Sequence, residues 1–206
     1  MDDSRHTAPV AFVLTREDSG DVVMLGGISV SGHAASCFLS MFDALIFGLH
    51  QSRQTGETYA VRRASEFLHA FMDDNYHQKS VGLHMAWPAR EGRLLVRADG
   101  RLHDVQWVQE ARLPGAPTLC LDEEALVFVD GIYEQAGLFA WRETADHVLT
   151  WSASRLRYSV DRALTIMPTK CLLDAREFTQ FALYDPEFEQ WHFVPRALFG
   201  MPIQGT

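Results

Sequence analysis

His33-Ala34-Ala35-Ser36-Cys37-Phe38-Leu39-Ser40-Met41-Phe42-Asp43-Ala44-Leu45-Ile46-Phe47-Gly48-Leu49-His50-Gln51 carries a single formal charge, Asp43. At 3.6 residues per turn, Phe38, Leu39, Met41, Leu45, Ile46 and Leu49 cover most of a helix circumference, the pattern of a helix buried nearly all round. Ser36, Ser40 and Asp43 break the run well short of the about 20 apolar residues that cross a bilayer. It therefore reads as a core helix, from about His33 to Gln51, packed against a sheet and a neighbouring helix. Its polar residues share one edge: His33, Ser36, Ser40, Asp43 and His50 fall within an arc of about 100°. That edge is first the wet side of the helix. Its alternative is a pocket lining in which Asp43 and a histidine exchange a proton, because a buried Asp is costly unless it is paired. His33, Asp43 and His50 are the candidate catalytic group.

Upstream, the β-rich runs Val10 to Thr15 and Val22 to Val30 flank the turn cluster Glu17-Asp18-Ser19-Gly20-Asp21 and predict a hairpin, with Gly26-Gly27 marking a bulge. The entry Gly26 to His33 has the strand, small residues and helix start that suit an anion. Its glycine spacing is neither a dinucleotide fingerprint nor a P-loop. Gly27-Ile28-Ser29-Val30-Ser31 ends on serine where a nucleophile elbow needs glycine. Cys37, four residues after His33, sits in apolar surroundings that hold a thiol protonated.

Downstream, a second helix is expected from about Glu57 to Lys79. Glu66, His69, Asp73 and His77 recur along one face of it, imidazoles and carboxylates at spacings that suit zinc, iron or manganese. Glu66-x-x-His69 is repeated as Glu189-Gln190-Trp191-His192, the half-motif of carboxylate-bridged di-iron bundles. Against this, Ala60, Val61, Ala64, Phe67, Leu68, Phe71 and Met72 form the opposite, buried face, so the ligand-like residues point to water. The second copy is cramped between Pro186 and Pro195. A solvated face is the leading reading, a metal site the other.

A meander follows. Val81 to Trp87 reads as a strand halted by Pro88, and Arg93 to Ala98 with Arg101 to Val108 flank Asp99-Gly100, a strong hairpin signal. A two-residue turn there pairs Val96 with His103 and Leu94 with Val105. Leu94, Val96, Ala98, Val105 and Trp107 then share the apolar face, and Arg93, Arg97, Asp104 and Gln106 the polar one. Asp130-Gly131 predicts a further hairpin, and Leu138 to Arg142 with Val148 to Ser152 another strand pair. Asp174-Ala175-Arg176-Glu177 has capping-box spacing for a short helix ending by Asp185-Pro186. His103 reads as a core imidazole, and His84, His147 and His192 have no ligand-spaced companion. The five tryptophans read as core. The fold class expected is α+β: a mostly antiparallel sheet of hairpins and meander on two consecutive helices of the N-terminal half, with a short C-terminal helix. One domain over residues 1–206 is expected, with a split near 114–117 as the alternative.

The chain has 206 residues, 18 basic and 27 acidic, for a net charge of -9. Between Pro114 and Thr150 seven acids face one base, Arg142. With no Lys/Arg cluster to neutralise phosphates, nucleic acid is not an expected partner. Cys37, Cys120 and Cys171 form an odd set without a CxxC pair, which fits a reducing cytosol. Met1-Asp2-Asp3-Ser4-Arg5 lacks the basic and apolar regions of a signal peptide, and neither it nor any apolar run predicts membrane contact. No complete catalytic or cofactor signature appears, so the cofactor is unknown. The functional expectation is therefore a non-catalytic cytosolic module, of adaptor, inhibitor or immunity type. It would engage a protein partner through an acidic face bearing Asp122, Glu123, Glu124 and Glu134. The alternative is a small hydrolase or metal-dependent enzyme built on either helix. A homo-oligomer is compatible with both.

Overall fold

The structure, a computed structural model, describes residues 10–23, 35–71, 80–110, 121–168, 171–172 and 177–199. It is an α+β fold whose sheet is mostly antiparallel. Its backbone is β4 (Ser80–Arg90), a strand buried along nearly its whole length. β2 (Ala35–Phe38) runs parallel to it on one side. On the other side β6 (Val105–Glu110) pairs with Ser80 to Ala86; further along β4, Trp87 to Ala89 pair with β8 (Gln180–Asp185). β1 (Phe12–Arg16) bridges β2 to β3 (Tyr59–Arg63). β5 (Arg93–Val96) folds back on the end of β4 and is joined by β7 (Cys171–Leu172), while β9 (Gln190–Pro195) closes a hairpin with β8.

Both sheet faces are covered, which is why β4 lacks a polar face. In β1, Val13 enters one apolar cluster and Phe12 and Leu14 the other. In β8, Phe181 and Leu183 part in the same way from Ala182 and Tyr184. On the first face α2 (Glu123–Gln135) lays Ala125, Val129 and Ile132 against Val81, Leu83 and Met85. On the second, α1 (Met41–Thr55) brings Phe42, Ile46 and Phe47 to Trp87, and α4 (Ala153–Thr165) adds Val160 and Ala163. Each such large apolar side chain contributes about 1.5–3 kcal/mol by leaving water. The short α3 (Trp141–Val148) links α2 to α4.

The apolar run is buried over much of 36–51, as expected, but its first described part is not helix. Ala35 to Phe38 are strand, paired with β4, and the helix starts only after Ser40, whose hydroxyl accepts the Asp43 amide at 3.3 Å. At the other end the helix runs to Thr55, four residues beyond Gln51, where Gly56, at φ 75°, is the left-handed cap. Over the described part of the second helix expected at 57–79, the chain forms β3 and a 3-10 segment, Ala64–Phe71, and residues 72–79 lie outside the described residues. Tyr59-Ala60-Val61 are needed as the sheet edge beside β1, and that tertiary pairing overrides the helical spacing.

β4 does not stop at Pro88 but carries it inside the sheet opposite Phe181. The hairpin at Asp99-Gly100 forms with Val96 against Leu102, one residue from the expected register, and its second strand leaves β5 to pair with β4. Asp99 sets the turn by accepting the Arg101 amide at 3.1 Å. Asp130-Gly131 lies inside α2, not at a hairpin, and residues 138–152 hold α3 instead of a strand pair. Buried residues at 125, 129, 132 and 133 give α2 the helical spacing that outweighs about 1 kcal/mol for one interior glycine. The helix expected to end at Asp185 gives way over Gln180–Asp185 to β8, and the chain instead has a short 3-10 turn, Arg196–Phe199. The first hairpin begins as expected, with Thr15 bridged to Val22. Residues 24–30, 114–117 and 173–176 lie outside the described residues.

Candidate functional site

α1 delivers Asp43 into the interior because Ser40 fixes where the helix begins. Asp43 is only 6% exposed. Tyr133 of α2 donates its hydroxyl to Asp43 Oδ2 at 3.4 Å, long for an O–H···O bond, so the carboxylate keeps accepting capacity for another donor. Behind it, β4 supplies His84, whose Nδ1 is hydrogen-bonded to Asp104; both side chains are almost sealed from water. Gln106 donates to Asp104 Oδ2 at 2.6 Å and to Ser36 Oγ at 3.0 Å. Asp104 and Gln106, from the polar edge of the Asp99 hairpin, thus enter a buried network, while Arg93 of the same edge stays exposed. Gly82 lets Gln106 lie flat on β4, since a Cβ there would come within 2.4 Å of the Gln106 Oε1. The β-bulge between His84 and Ala86 turns His84 and Trp87 to the same face, with ring centroids 4.6 Å apart.

These groups set one another's charge. Burial pushes Asp43 up from 3.8 to about 6, against the opposing pull of His84 and of the Tyr133 hydroxyl. Burial alone would hold His84 neutral. The charge and hydrogen bond of Asp104, with help from Asp43, outweigh it and raise His84 above its ordinary value. The Tyr133 phenol is driven well up by burial and then by Asp43, so it stays a donor. His84 Nε2 is buried without a hydrogen-bond partner.

Asp43 opens onto a cavity of about 250 Å³ between α1, α2, α3 and the β8–β9 turn. Its walls are aromatic: Tyr133 stacks on Trp141 at 4.7 Å, and Tyr184, Phe139 and Phe188 complete them. Phe139 and Phe188 stand at the rim, 78% and 74% exposed. Asp130 pins the Trp141 wall by accepting its indole N–H at 2.9 Å while gripping Arg142 through two nitrogens. Asp185 shapes the far rim, its Oδ1 accepting the amides of Glu187 and Phe188. Among the described residues, three carboxylates, Asp43, Asp185 and Glu187, line the cavity, and no Lys, Arg or His does.

Of the candidate catalytic group, Asp43 reaches this site. His50 is also buried but sits two turns further along α1, about 10 Å up the axis. His33 lies outside the described residues. Of the candidate metal ligands, Glu66 is exposed on the 3-10 segment and His69 belongs to the same segment. Asp73 and His77 lie outside the described residues. The α-helix that the spacing assumed is absent over Tyr59–Phe71, where a strand is followed by a 3-10 segment with a non-helical residue at Phe67. Among the described residues no three of His, Cys, Asp and Glu gather as metal ligands. Glu123, Glu124 and Glu134 are exposed on α2, and Asp122 precedes it. His84, Asp104, Gln106 and Tyr133 were missed by sequence reasoning. The available signal was a histidine inside the apolar strand run 81–87, which demands a buried partner. Among the described residues no helix is long and apolar enough to cross a membrane. No protein-family model matches the chain, and no curated protein or solved structure is significantly similar to it.

Proposed function

We propose that this chain binds a small organic molecule in the aromatic cavity, with Asp43 as the acid–base group that meets it. The observation that carries the reading is Asp43 itself: a buried carboxyl, opening on a concave apolar site and titrating at about 6. Such a group gives up and takes back a proton near neutral pH, as a general acid or base must. An apolar pocket with a few convergent polar groups and a perturbed carboxyl is the ordinary form of a ligand site. At about 250 Å³ the space suits one ring with a short arm; a cavity of about 150 Å³ already holds benzene. This is the metal-free form of the small-enzyme expectation, with His84 and Asp104 as positioning residues behind Asp43.

The test is ligand-observed NMR with a fragment set against wild type and Ala145→Phe, a substitution that fills the cavity from α3. Fragments that bind wild type and are lost in a folded Ala145→Phe support the reading. Equal binding to both, or no binding to either, overturns it.

A second reading keeps the acidic face. Glu123, Val127 and Glu134 follow one another at helical spacing on α2, and Val127 is 65% exposed between the carboxylates. A basic protein partner in a reducing cytosol fits that stripe. Reversing Glu123, Glu124 and Glu134 to Lys should weaken its capture in a salt-sensitive way.

A further inference from the structure

From the chemistry of its walls, we infer that the cavity selects an organic cation: a protonated primary or secondary amine carried on an aromatic or compact apolar body. The inference rests on the cavity being a ligand site. Three independent features converge on that ligand. The cavity is lined by the rings of Tyr133, Trp141 and Tyr184, and the electron-rich face of such a ring attracts a cation, as Arg142, 5.3 Å from the Trp141 ring centroid, already illustrates. Among the described residues the lining includes carboxylates at its floor and rim and no basic side chain, and the guanidinium of Arg142, beside Trp141, is held by Asp130, a balance that favours a cation over an anion. Asp43, deep in the site, accepts a single long bond from Tyr133 at Oδ2 and can take an N–H donor.

The carboxylates divide the work. Asp185 has Oδ1 committed to two backbone amides and so serves as scaffold. Glu187 sits at the mouth, its Oε1 3.3 Å from His147 Nδ1, where it adds negative potential at the entrance. That leaves Asp43 as the direct partner of the ammonium, with the ligand's apolar body against the aromatic wall. A charge-assisted N–H···O bond in a dry site is about twice as strong as a neutral one, so the preference for a cation should be large. A quaternary ammonium, lacking N–H, would keep the aromatic attraction and lose this bond.

The experiment compares three near-isosteric probes by titration calorimetry at pH 7.5: phenethylamine, 2-phenylethanol and phenylacetate. The expected order is amine first by at least tenfold, alcohol second, and no detectable carboxylate binding. Asp43→Asn should lower the affinity of the amine by at least tenfold and that of the alcohol by less. If that variant does not fold, the wild-type ratio of amine to alcohol reads the same preference. Equal binding of amine and alcohol, or binding of phenylacetate, overturns the cation inference and leaves the cavity reading standing. No binding of any probe, with the fragment set also silent, overturns both.

Discussion

His84 and Asp104, twenty residues apart, are hydrogen-bonded to each other inside the sheet, with side chains 2% and 3% exposed. Removing one member of such a pair leaves the other buried and unmatched, at about 3–5 kcal/mol. Asp104→Ala should therefore cost several kcal/mol in urea unfolding at pH 7 and lower the His84 titration midpoint seen by NMR. A loss below about 1 kcal/mol with an unchanged midpoint would show that the pair is solvated.

Stability should fall as pH rises, for two groups in succession. Asp43 is raised from 3.8 to about 6 in the folded chain, so the native state holds the extra proton and stability drains away between those values. The loss is on the order of 3 kcal/mol once Asp43 is ionised. His84 is also raised, so its contribution is complete below its unfolded value and fades as pH climbs through the folded one. Unfolding curves collected from pH 4 to 8 should show this decline; a rise over pH 4 to 6 would have the wrong sign.

Asp43→Asn should stabilise the chain at pH 7.5, by about 1–3 kcal/mol, and do little at pH 4, where the carboxyl is already protonated. Stabilisation by loss of a pocket carboxylate is what a site held for function exhibits. Destabilisation at both pH values would mean that Asp43 is there for structure.

Gly82→Ala should cost about 1–3 kcal/mol, because the added methyl would displace the Gln106 amide from between Ser36 and Asp104. In a Gln106→Ala background most of that penalty should vanish. Additive losses in the double variant would place the strain in the backbone and not at Gln106.

The fold class was legible because the apolar run at 33–51 and the β-rich runs flanking Asp99-Gly100 announce burial and strands whatever their boundaries. Boundaries were harder. Ser40-x-x-Asp43 is a helix-start signal that marks the break between β2 and α1, yet the apolar residues on both sides have the same composition, so the strand half was absorbed into the helix. At 57–71 the spacing favoured helix, and only the edge of β1 made Tyr59 to Arg63 a strand. Asp43 was singled out because a lone charge in a core element needs a partner. Its actual partners could not be read, since Tyr133 arrives from ninety residues away and His84 reaches Asp104 only across a bulged sheet. The Asp99 hairpin shows the same limit: a one-residue register difference and a change of partner strand turned a wet face into the buried network of Asp104 and Gln106.

The central claim is that Asp43 is a dry acid–base group facing a ligand cavity, and its own titration tests this most directly. Following the Asp43 carboxyl carbon by NMR from pH 3 to 9 should give a midpoint near 6, with Tyr133→Phe moving it higher because the phenol stabilises the ionised form. A midpoint near 4, unmoved by Tyr133→Phe, would mean that water reaches the carboxylate freely and would contradict the account.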